Sequence, residues 1–326
     1  MKIGILGTGM IVKDFMNIIH ELKFESIYLL GTESTREETE NMAQTNQLDG
    51  TFYDYDELLQ SDADTIYVAL PNFLHYSFGL KALKAGKNVI LEKPGTSNAK
   101  EMAELIRIAK EKNLFLFEAM SLLHAPAYKE VKKNIARLGD LKIVSLNYSQ
   151  YSRRYDAFKE GTVLPVFDPK KAGGALMDLN VYNVHFLLGL FGKPLSVSYH
   201  ANIEKGIDTS GILTLDYGTF QAVSIAAKDC KAPVMCSLQG DKGCLRISRP
   251  VNGMTAFDVD MNDGSTFSYA DETVQHRMIY EFEEFIRCAD ENDHAANDVM
   301  MNLSLAAAEV LTEARKSAGI VFPADL

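Results

Sequence analysis

The sequence has few cysteines, no basic cluster and no long apolar segment. Only four cysteines occur among 326 residues, and none lies in a Cys-x-x-Cys pair or in a His/Cys spacing typical of zinc. We therefore expect reduced thiols and no metal site. The formal charge of −11, without any cluster of lysine or arginine, disfavours nucleic acids and anionic membranes as partners.

No segment approaches the roughly 20 apolar residues of a membrane span. The first apolar run, Lys2 to Leu6, is not preceded by a charged leader. We expect a soluble, cytoplasmic protein. Its length and its 47% of hydrophobic residues suggest two domains with sizeable cores.

The first 120 or so residues alternate short apolar runs with amphipathic segments at helical spacing. This pattern predicts repeated β-α units around a parallel sheet. In the clearest helix, over 99–112, Asn98 caps the first turn and Glu101 completes a capping-box-like pair. The predicted strands are 2–6, 26–30, 51–53, 65–70, 88–91 and 114–117.

After residue 123 the rhythm changes to strand-like segments at short intervals. A helix with Ala127, Val131 and Ile135 on one face comes first. A second helix is predicted over 174–191, and two more over 274–291 and 299–316. The strands, which favour one broad mixed sheet, are 142–151, 195–201, 211–215, 220–226, 234–239, 244–247 and 256–259. Domains are therefore predicted over 1–123 and 124–326, without a Pro/Ser-rich linker.

A glycine turn follows the first strand. Gly7-x-Gly9-x-x-Val12 approximates the dinucleotide fingerprint G-x-G-x-x-G/A, although valine replaces its third small residue. Backbone N–H groups of such a turn face an anion at a helix start. We therefore predict that a dinucleotide pyrophosphate binds here, at Gly7, Thr8, Gly9, Met10 and Ile11.

The second strand ends in residues suited to an adenosine ribose. Glu33 can accept hydrogen bonds from a ribose diol, whereas Thr32, Ser34 and Arg36 can hold a 2′-phosphate. The sequence leaves NAD and NADP open, with a weak preference for NAD because a carboxylate repels a phosphate. Alternatively, Glu33 simply faces solvent.

Two later strand ends supply further candidates. Ligands of open parallel sheets bind outside the carboxyl ends of the strands, so residues there converge. Lys93 is the first candidate for chemistry, because it follows a buried strand. His75 is a peripheral candidate that can equally be a buried, hydrogen-bonded histidine at a helix start. The cofactor-binding candidates at these strand ends are Leu70, Pro71, Asn72, His75, Glu92 and Lys93.

One helix of the second domain has polar side chains where a core helix would be apolar. Asp178, Tyr182 and His185 are spaced i, i+4, i+7, which stacks them on one face. This face is predicted to line a cleft and bind substrate. The alternative is a buried polar network that fastens the helix to the sheet. Arg153 and Arg154 are predicted at a solvated strand end.

Five motifs follow one another along the chain. They are Gly7-x-Gly9, Pro71-Asn72-x-x-His75, Glu92-Lys93-Pro94, Gly173-Gly174-x-Leu176-x-Asp178 and Ala314-Arg315-Lys316-Ser317-Ala318-Gly319. In this order and spacing, they resemble the glucose-fructose oxidoreductase/inositol dehydrogenase/MocA (Gfo/Idh/MocA) family of NAD(P)-dependent oxidoreductases.

The resemblance implies a Rossmann domain with a doubly wound parallel sheet, then an α/β domain with a large open, mostly antiparallel sheet. It also implies a homodimer or homotetramer formed through that sheet, and it matches Lys93 and Asp178 to the family's catalytic lysine and aspartate. Tyr182, where many members have histidine, resembles the dihydrodiol dehydrogenase branch. Leu123 departs from the arginine often found there.

Hydride exchange with a nicotinamide requires a proton to move to or from the alcohol oxygen. We expect Tyr182 as the general acid/base, because an ammonium beside a phenol stabilises its anion. Lys93 would supply that charge, Asp178 would orient a substrate hydroxyl or the lysine, and His185 would bind a hydroxyl. Alternatively, Lys93 is itself the proton donor.

The predicted function is reversible oxidation of a secondary alcohol on a sugar, polyol or cyclic diol. The polar character of Tyr182, Asp178, His185 and Asn183 favours a polyhydroxylated small molecule over an acid. The alternative is a cofactor-binding regulator that senses nicotinamide redox state without turnover, because a Rossmann site alone does not establish catalysis.

Overall fold

The computed structural model describes the whole chain, residues 1–326. It contains two compact units, Met1–Ala119 with Met278–Leu305, and Met120–Arg277 with Ala306–Leu326. The sequence-based boundary after residue 123 lies close to the first crossover. The difference is that residues 278–305, predicted in the second domain, belong to the first unit.

The first unit is built on a six-stranded parallel sheet of order β3-β2-β1-β4-β5-β6. This is the strand order of a Rossmann fold, in which the order reverses between β1 and β4. The predicted strands are confirmed with ends shifted by at most two residues. They are β1 (Lys2–Leu6), β2 (Ser26–Leu30), β3 (Gly50–Phe52), β4 (Thr65–Val68), β5 (Asn88–Glu92) and β6 (Leu116–Ala119).

Five helices connect these strands. In the last of them, the Asn98 side chain accepts the N–H of Glu101 at 3.0 Å, as predicted. The Glu101 carboxylate reaches back to the N–H of Ser97, also at 3.0 Å. The helices are α1 (Met10–Met16), α2 (Arg36–Thr45), α3 (Tyr55–Gln60), α4 (His75–Lys84) and α5 (Ala99–Glu111).

Helix α9 (Arg277–Asp290) and the part of α10 (His294–Ser317) up to Leu305 supply the rest of the first unit. Phe282 lies 4.3 Å from Phe15 between ring centroids, and Phe285 lies 4.5 Å from Phe117. Aromatic pairs at such distances bury large apolar areas. The first core therefore depends on residues far away in the sequence.

The second unit contains an eight-stranded sheet of order β14-β13-β12-β11-β7-β10-β9-β8. Strands β7 and β10 pair in parallel, and all other neighbours pair antiparallel, which confirms the large, mostly antiparallel sheet. The strands are β7 (Leu141–Ser149), β8 (Ser196–Glu204), β9 (Ile207–Asp216), β10 (Gln221–Ala227), β11 (Cys236–Gly240), β12 (Gly243–Ile247), β13 (Ala256–Met261) and β14 (Thr266–Ala270).

The helices of the second unit depart from the prediction in two places. The helix predicted over 174–191 begins as a π-helix, Leu176–Asn180, and continues as α8 (Val181–Phe191). Helix α6 (Pro126–Asn134) was expected, whereas α7 (Arg153–Lys159) was not. Arg153 and Arg154, predicted at a strand end, lie exposed in the first turn of α7. None of the helices is both long and apolar enough to span a bilayer.

Candidate active site

The glycine turn after β1 combines a positive φ at Gly7 with open space at Gly9. Gly7 has φ +98°, and a Cβ there would lie 3.2 Å from Leu70 and 3.3 Å from the carbonyl of Ala69. A Cβ at Gly9 would meet nothing within 4 Å, so the space beside this residue is open. Val12, the departure from the fingerprint, is fully buried in the core. The turn is therefore open beside Gly9, while Val12 packs α1 onto the sheet.

The two candidates at the end of β2 bind each other. The Arg36 guanidinium donates to Glu33 through Nε at 3.0 Å and Nη2 at 2.7 Å. This bonding lowers the pKa of the Glu33 carboxyl. The guanidinium also lies 3.7 Å from the ring centroid of Tyr53. Beside this pair, the hydroxyls of Thr32 and Ser34 lie 2.9 Å apart.

The segment after β4 is fastened by a buried histidine. The ring nitrogens of His75 lie 2.7 Å from the carbonyl of Leu70 and 3.0 Å from that of Pro94. Complete burial lowers the pKa of His75, and the contacts with the two carbonyl groups oppose this shift. This is the arrangement that the buried-histidine alternative predicts. It ties the turn containing Pro71 and Asn72 to the loop after β5.

Lys93 follows β5 in a loop held by two carboxylates. Glu92, which is buried, accepts the hydroxyl of Tyr67 and, at 3.2 Å, the N–H of Lys93. Glu118 accepts the N–H of Gly95 at 2.8 Å. The Lys93–Pro94 peptide bond is cis. The backbone around the half-buried Lys93 is therefore held by carboxylates of its own unit, the buried Glu92 and the half-buried Glu118.

In the second unit, a buried aspartate organises the start of the polar helix. Asp208 accepts the N–H of Leu176 at 2.6 Å and the hydroxyl of Tyr199 at 2.8 Å. Desolvation raises the pKa of Asp208 to about 6. Gly174 has φ +104°, and a Cβ there would lie 2.0 Å from Asp208 Oδ1. A side chain at Gly174 would therefore displace the carboxylate that holds the helix start.

Asp178 and Tyr182 are the half-buried members of the predicted polar face. Asp178 lies within the π-helix and forms an ion pair with Lys228, the residue directly after β10. The ring of Tyr182 lies 6.2 Å from that of Tyr148 between centroids. Because a π-turn bonds i to i+5, the i, i+4 stacking of a regular helix does not hold across it.

The remaining polar residues of this helix are buried. His185 Nδ1 lies 2.9 Å from the Val181 carbonyl. Asn183 donates to Asn180 at 3.1 Å, and Asn180 accepts the hydroxyl of Ser224 on β10. The buried network considered as an alternative is thus present at Asn180, Asn183 and His185, whereas Asp178 and Tyr182 on the same helix are only half-buried.

Lys228 was not recognised in the sequence. Its partner Asp178 is 50 positions away. The sequence signal that could have identified Lys228 is the one that identified Lys93, namely a lysine that directly follows a predicted strand. Burial of its ammonium depends on tertiary packing, which no local pattern reports.

Comparison with known proteins identifies the family. The model described as "Oxidoreductase family, NAD-binding Rossmann fold" matches residues 1–120, and the GFO/IDH/MocA C-terminal domain matches residues 128–246. The chain is 33% identical to scyllo-inositol 2-dehydrogenase (NADP(+)) IolU of Bacillus subtilis, covering 100% of this chain and 99% of that protein. The chain belongs to the Gfo/Idh/MocA family.

Further similarity within the Gfo/Idh/MocA family extends to trans-1,2-dihydrobenzene-1,2-diol dehydrogenase of Xenopus laevis. That protein is 28% identical over 99% of both chains. Among solved structures, KijD10, a 3-ketoreductase from Actinomadura kijaniata in complex with NADP and TDP-benzene, superposes with a TM-score of 0.82 at 18% identity over 99% of both chains. The predicted family, fold class and NAD(P)-dependent oxidoreductase activity are confirmed.

Proposed function

We propose that this Gfo/Idh/MocA oxidoreductase interconverts a secondary alcohol and a ketone on a polyhydroxylated substrate, such as an inositol, another polyol, a sugar or a cyclic diol. The principal support is its full-length similarity to a scyllo-inositol dehydrogenase. The half-buried Asp178 and Tyr182 add a carboxylate and a phenol on one helix. Both groups bind hydroxyls.

The cofactor would lie against the glycine turn and the strand ends of the first unit. The open space at Gly9 and the positive φ of Gly7 suit a pyrophosphate. When bound, the nicotinamide supplies or accepts the hydride. Besides the turn residues Gly7, Thr8, Gly9, Met10 and Ile11, the residues proposed to hold the cofactor are Thr32, Glu33, Arg36, Leu70, Pro71, Asn72, His75, Glu92 and Lys93.

We propose NADP as the preferred cofactor, although the sequence alone weakly favoured NAD. The NADP-dependent inositol dehydrogenase relative does not support a preference for NAD. Arg36 offers a guanidinium stacked on Tyr53, and Thr32 and Ser34 offer hydroxyls. Such groups suit a 2′-phosphate, which would take the place of Glu33 at Arg36.

For proton transfer we assign Tyr182 as the general acid/base and Lys93 as the positive charge that stabilises its anion. Asp178 would orient the substrate hydroxyl, and His185 would bind a second hydroxyl. The alternative, in which Lys93 is itself the proton donor, gives a different result when Tyr182 is replaced, as described in the Discussion.

The function is tested by incubating the protein with NADP or NAD and a panel of inositols, other polyols, sugars and dihydrodiols. Reduced nicotinamide is followed by absorbance. We expect turnover with at least one polyol and higher kcat/KM with NADP. Tight cofactor binding without turnover, in either direction and on any member of the panel, would instead favour a redox-sensing regulator.

We further infer that a second copy of the chain covers one face of the eight-stranded sheet. On that face Ile212 pairs with Ile225, and Ile143 and Ile212 are 47% and 45% exposed. Exposed β-branched side chains on one face favour association. Ile143→Glu with Ile212→Glu should lower the mass measured by light scattering. Val299→Glu, an exposed apolar position in the first unit, is the control. A wild-type monomer would contradict this inference.

A further inference from the structure

Lys228 is a buried lysine whose backbone is held from two sides. Its N–H donates to the carbonyl of Thr209 on β9 at 2.8 Å, and its carbonyl accepts the N–H of Ser152 at 2.8 Å. The whole residue is 5% exposed. The position of its Cα is therefore fixed independently of what its side chain binds.

The ammonium of Lys228 lies in a largely covered environment. It contacts Asp178 Oδ2 and lies 5.8 Å from the ring centroid of Phe167. The positive charge of Lys228 also lowers the pKa of Asp208, against the larger effect of desolvation, which raises it. A buried ammonium is tolerated in proteins when it is paired with an opposite charge. Asp178 and Asp208 supply that charge.

The two partners of this ion pair differ in exposure. The Lys228 side chain is 6% exposed, whereas that of Asp178 is 31% exposed. The pair therefore has a covered end at the lysine and an accessible end at the carboxylate. A carboxylate has about four lone-pair positions. Its exposed part gives a substrate hydroxyl access to the Asp178 carboxylate.

We propose that Lys228 is a positioning residue that holds the Asp178 carboxylate in one orientation, so that this carboxylate accepts a hydrogen bond from a substrate hydroxyl. The inference rests on the proposed function. Because its ammonium is covered, Lys228 acts through Asp178. Orientation matters because a small misplacement of a binding group can cost about 10²-fold in rate.

The competing explanation is that Lys228 only fastens the π-helix to the sheet. Ser224 is a matched control for that role, because its hydroxyl joins β10 to Asn180 of the same π-helix without contacting Asp178. Ser224→Ala should therefore report on helix attachment alone. Lys228→Met removes the charge, and Lys228→Arg retains it.

The kinetic test measures kcat, the KM for the polyol and the KM for NADP in each variant. We expect Lys228→Met to raise the polyol KM and lower kcat, with a combined loss in kcat/KM of about 10²-fold. The KM for NADP should not change, and Lys228→Arg should recover most of the loss. Ser224→Ala should lower the melting temperature while leaving both KM values near wild type. Equal kinetic effects of Lys228→Met and Ser224→Ala would overturn the proposal.

A double-mutant cycle tests whether Lys228 acts through Asp178. If it does, adding Lys228→Met to Asp178→Asn should lower kcat/KM little further, because the oriented carboxylate is already lost. Fully additive losses would show that Lys228 acts by another route. The double variant removes both charges of the Asp178–Lys228 pair, so it remains measurable if Lys228→Met alone folds poorly.

Crystal structures of the wild type and Lys228→Met give a measurement that does not require turnover. The Asp178 carboxylate should turn away from its wild-type orientation in the variant. An unchanged orientation would overturn the proposal even in an active enzyme. If the wild type oxidises no polyol, the proposed function is wrong. The orientation of Asp178 in the two crystal structures would still show whether Lys228 positions this carboxylate. Lys228→Gln provides the same comparison if the methionine variant does not fold.

Discussion

The hydroxyl of Tyr67, a fully buried residue in the core of the first unit, donates a hydrogen bond to the carboxylate of Glu92. Glu92 also accepts the N–H of Lys93. A core residue thus connects the packing of the sheet with the loop that contains the proposed catalytic lysine.

Tyr67→Phe removes this hydrogen bond and leaves a buried carboxylate with one donor fewer. We expect the free energy of unfolding to fall by about 1–3 kcal/mol, measured by chemical denaturation. Tyr76→Phe is the control, because Tyr76 donates to Glu104 at 2.6 Å and neither residue is buried. Tyr76→Phe should lower the free energy of unfolding by clearly less than Tyr67→Phe does. Equal losses of unfolding free energy in the two variants would mean that burial of the Tyr67–Glu92 pair does not increase its contribution to stability.

Tyr182→Phe tests the proposed general acid/base. If Tyr182 transfers the proton, kcat on a polyol should fall by about 10²–10⁴-fold. Tyr148→Phe, which changes the neighbouring ring, should have a much smaller effect. If activity of Tyr182→Phe stays within about tenfold of wild type while Lys93→Met is inactive, Lys93 is the better candidate for the proton donor.

Arg36→Ala tests the cofactor assignment. Hydrogen bonds to charged groups contribute about 1.5–3 kcal/mol, so loss of the guanidinium should lower kcat/KM for NADP by roughly ten- to hundredfold. The value for NAD should change little. Arg107→Ala removes an exposed arginine bound to Glu111 on α5 and is the control.

Glu33→Gln distinguishes a preference for NADP from a preference for NAD more sharply than Arg36→Ala does. With NADP as the natural cofactor, removing the carboxylate should raise affinity for NADP, because repulsion of the 2′-phosphate and competition for Arg36 both disappear. If NAD is preferred, the same change should weaken NAD binding through lost bonds to the ribose. Dissociation constants from nicotinamide fluorescence decide between these outcomes.

Asp208 should make stability depend on pH in the acidic range. Its folded pKa of about 6 lies above the unfolded value near 4, so the folded state binds the proton more tightly. This contribution is fully present below about pH 4 and is lost as the pH rises through about 6, up to about 2–3 kcal/mol. Asp208→Asn should remove it. The difference in unfolding free energy between wild type and variant should therefore change between pH 4 and pH 7. A difference in unfolding free energy that stays constant between pH 4 and pH 7 would contradict a pKa of Asp208 raised by burial.

The architecture was largely predictable from the sequence, because it follows from hydrophobic periodicity. The alternation of strands and helices up to Ala119 predicted every strand of the parallel sheet. Strand β14 was missed because its side chains alternate between half-buried and exposed, without a buried position. Helix α7 was missed because it is a single short segment of seven residues, begun by Ser152.

The candidate site was less predictable, since it depends on contacts that are distant in sequence. Asp178 was identified from a local motif, whereas its partner Lys228 was not. The Phe282 and Phe285 side chains are part of the first core, although their helix follows the second sheet in sequence. Such pairings are determined by tertiary packing, which local periodicity does not report.

The π-helix Leu176–Asn180 has a consequence for how the site of this protein can be altered. A π-turn accommodates an extra residue within a continuous helix. Deleting one residue there could restore regular α-geometry and rotate the preceding segment by about 100° around the helix axis. A change of a single codon in length would then redirect Asp178 relative to Tyr182 without altering either side chain. Length variation in this turn is therefore a route by which substrate preference can evolve or be engineered.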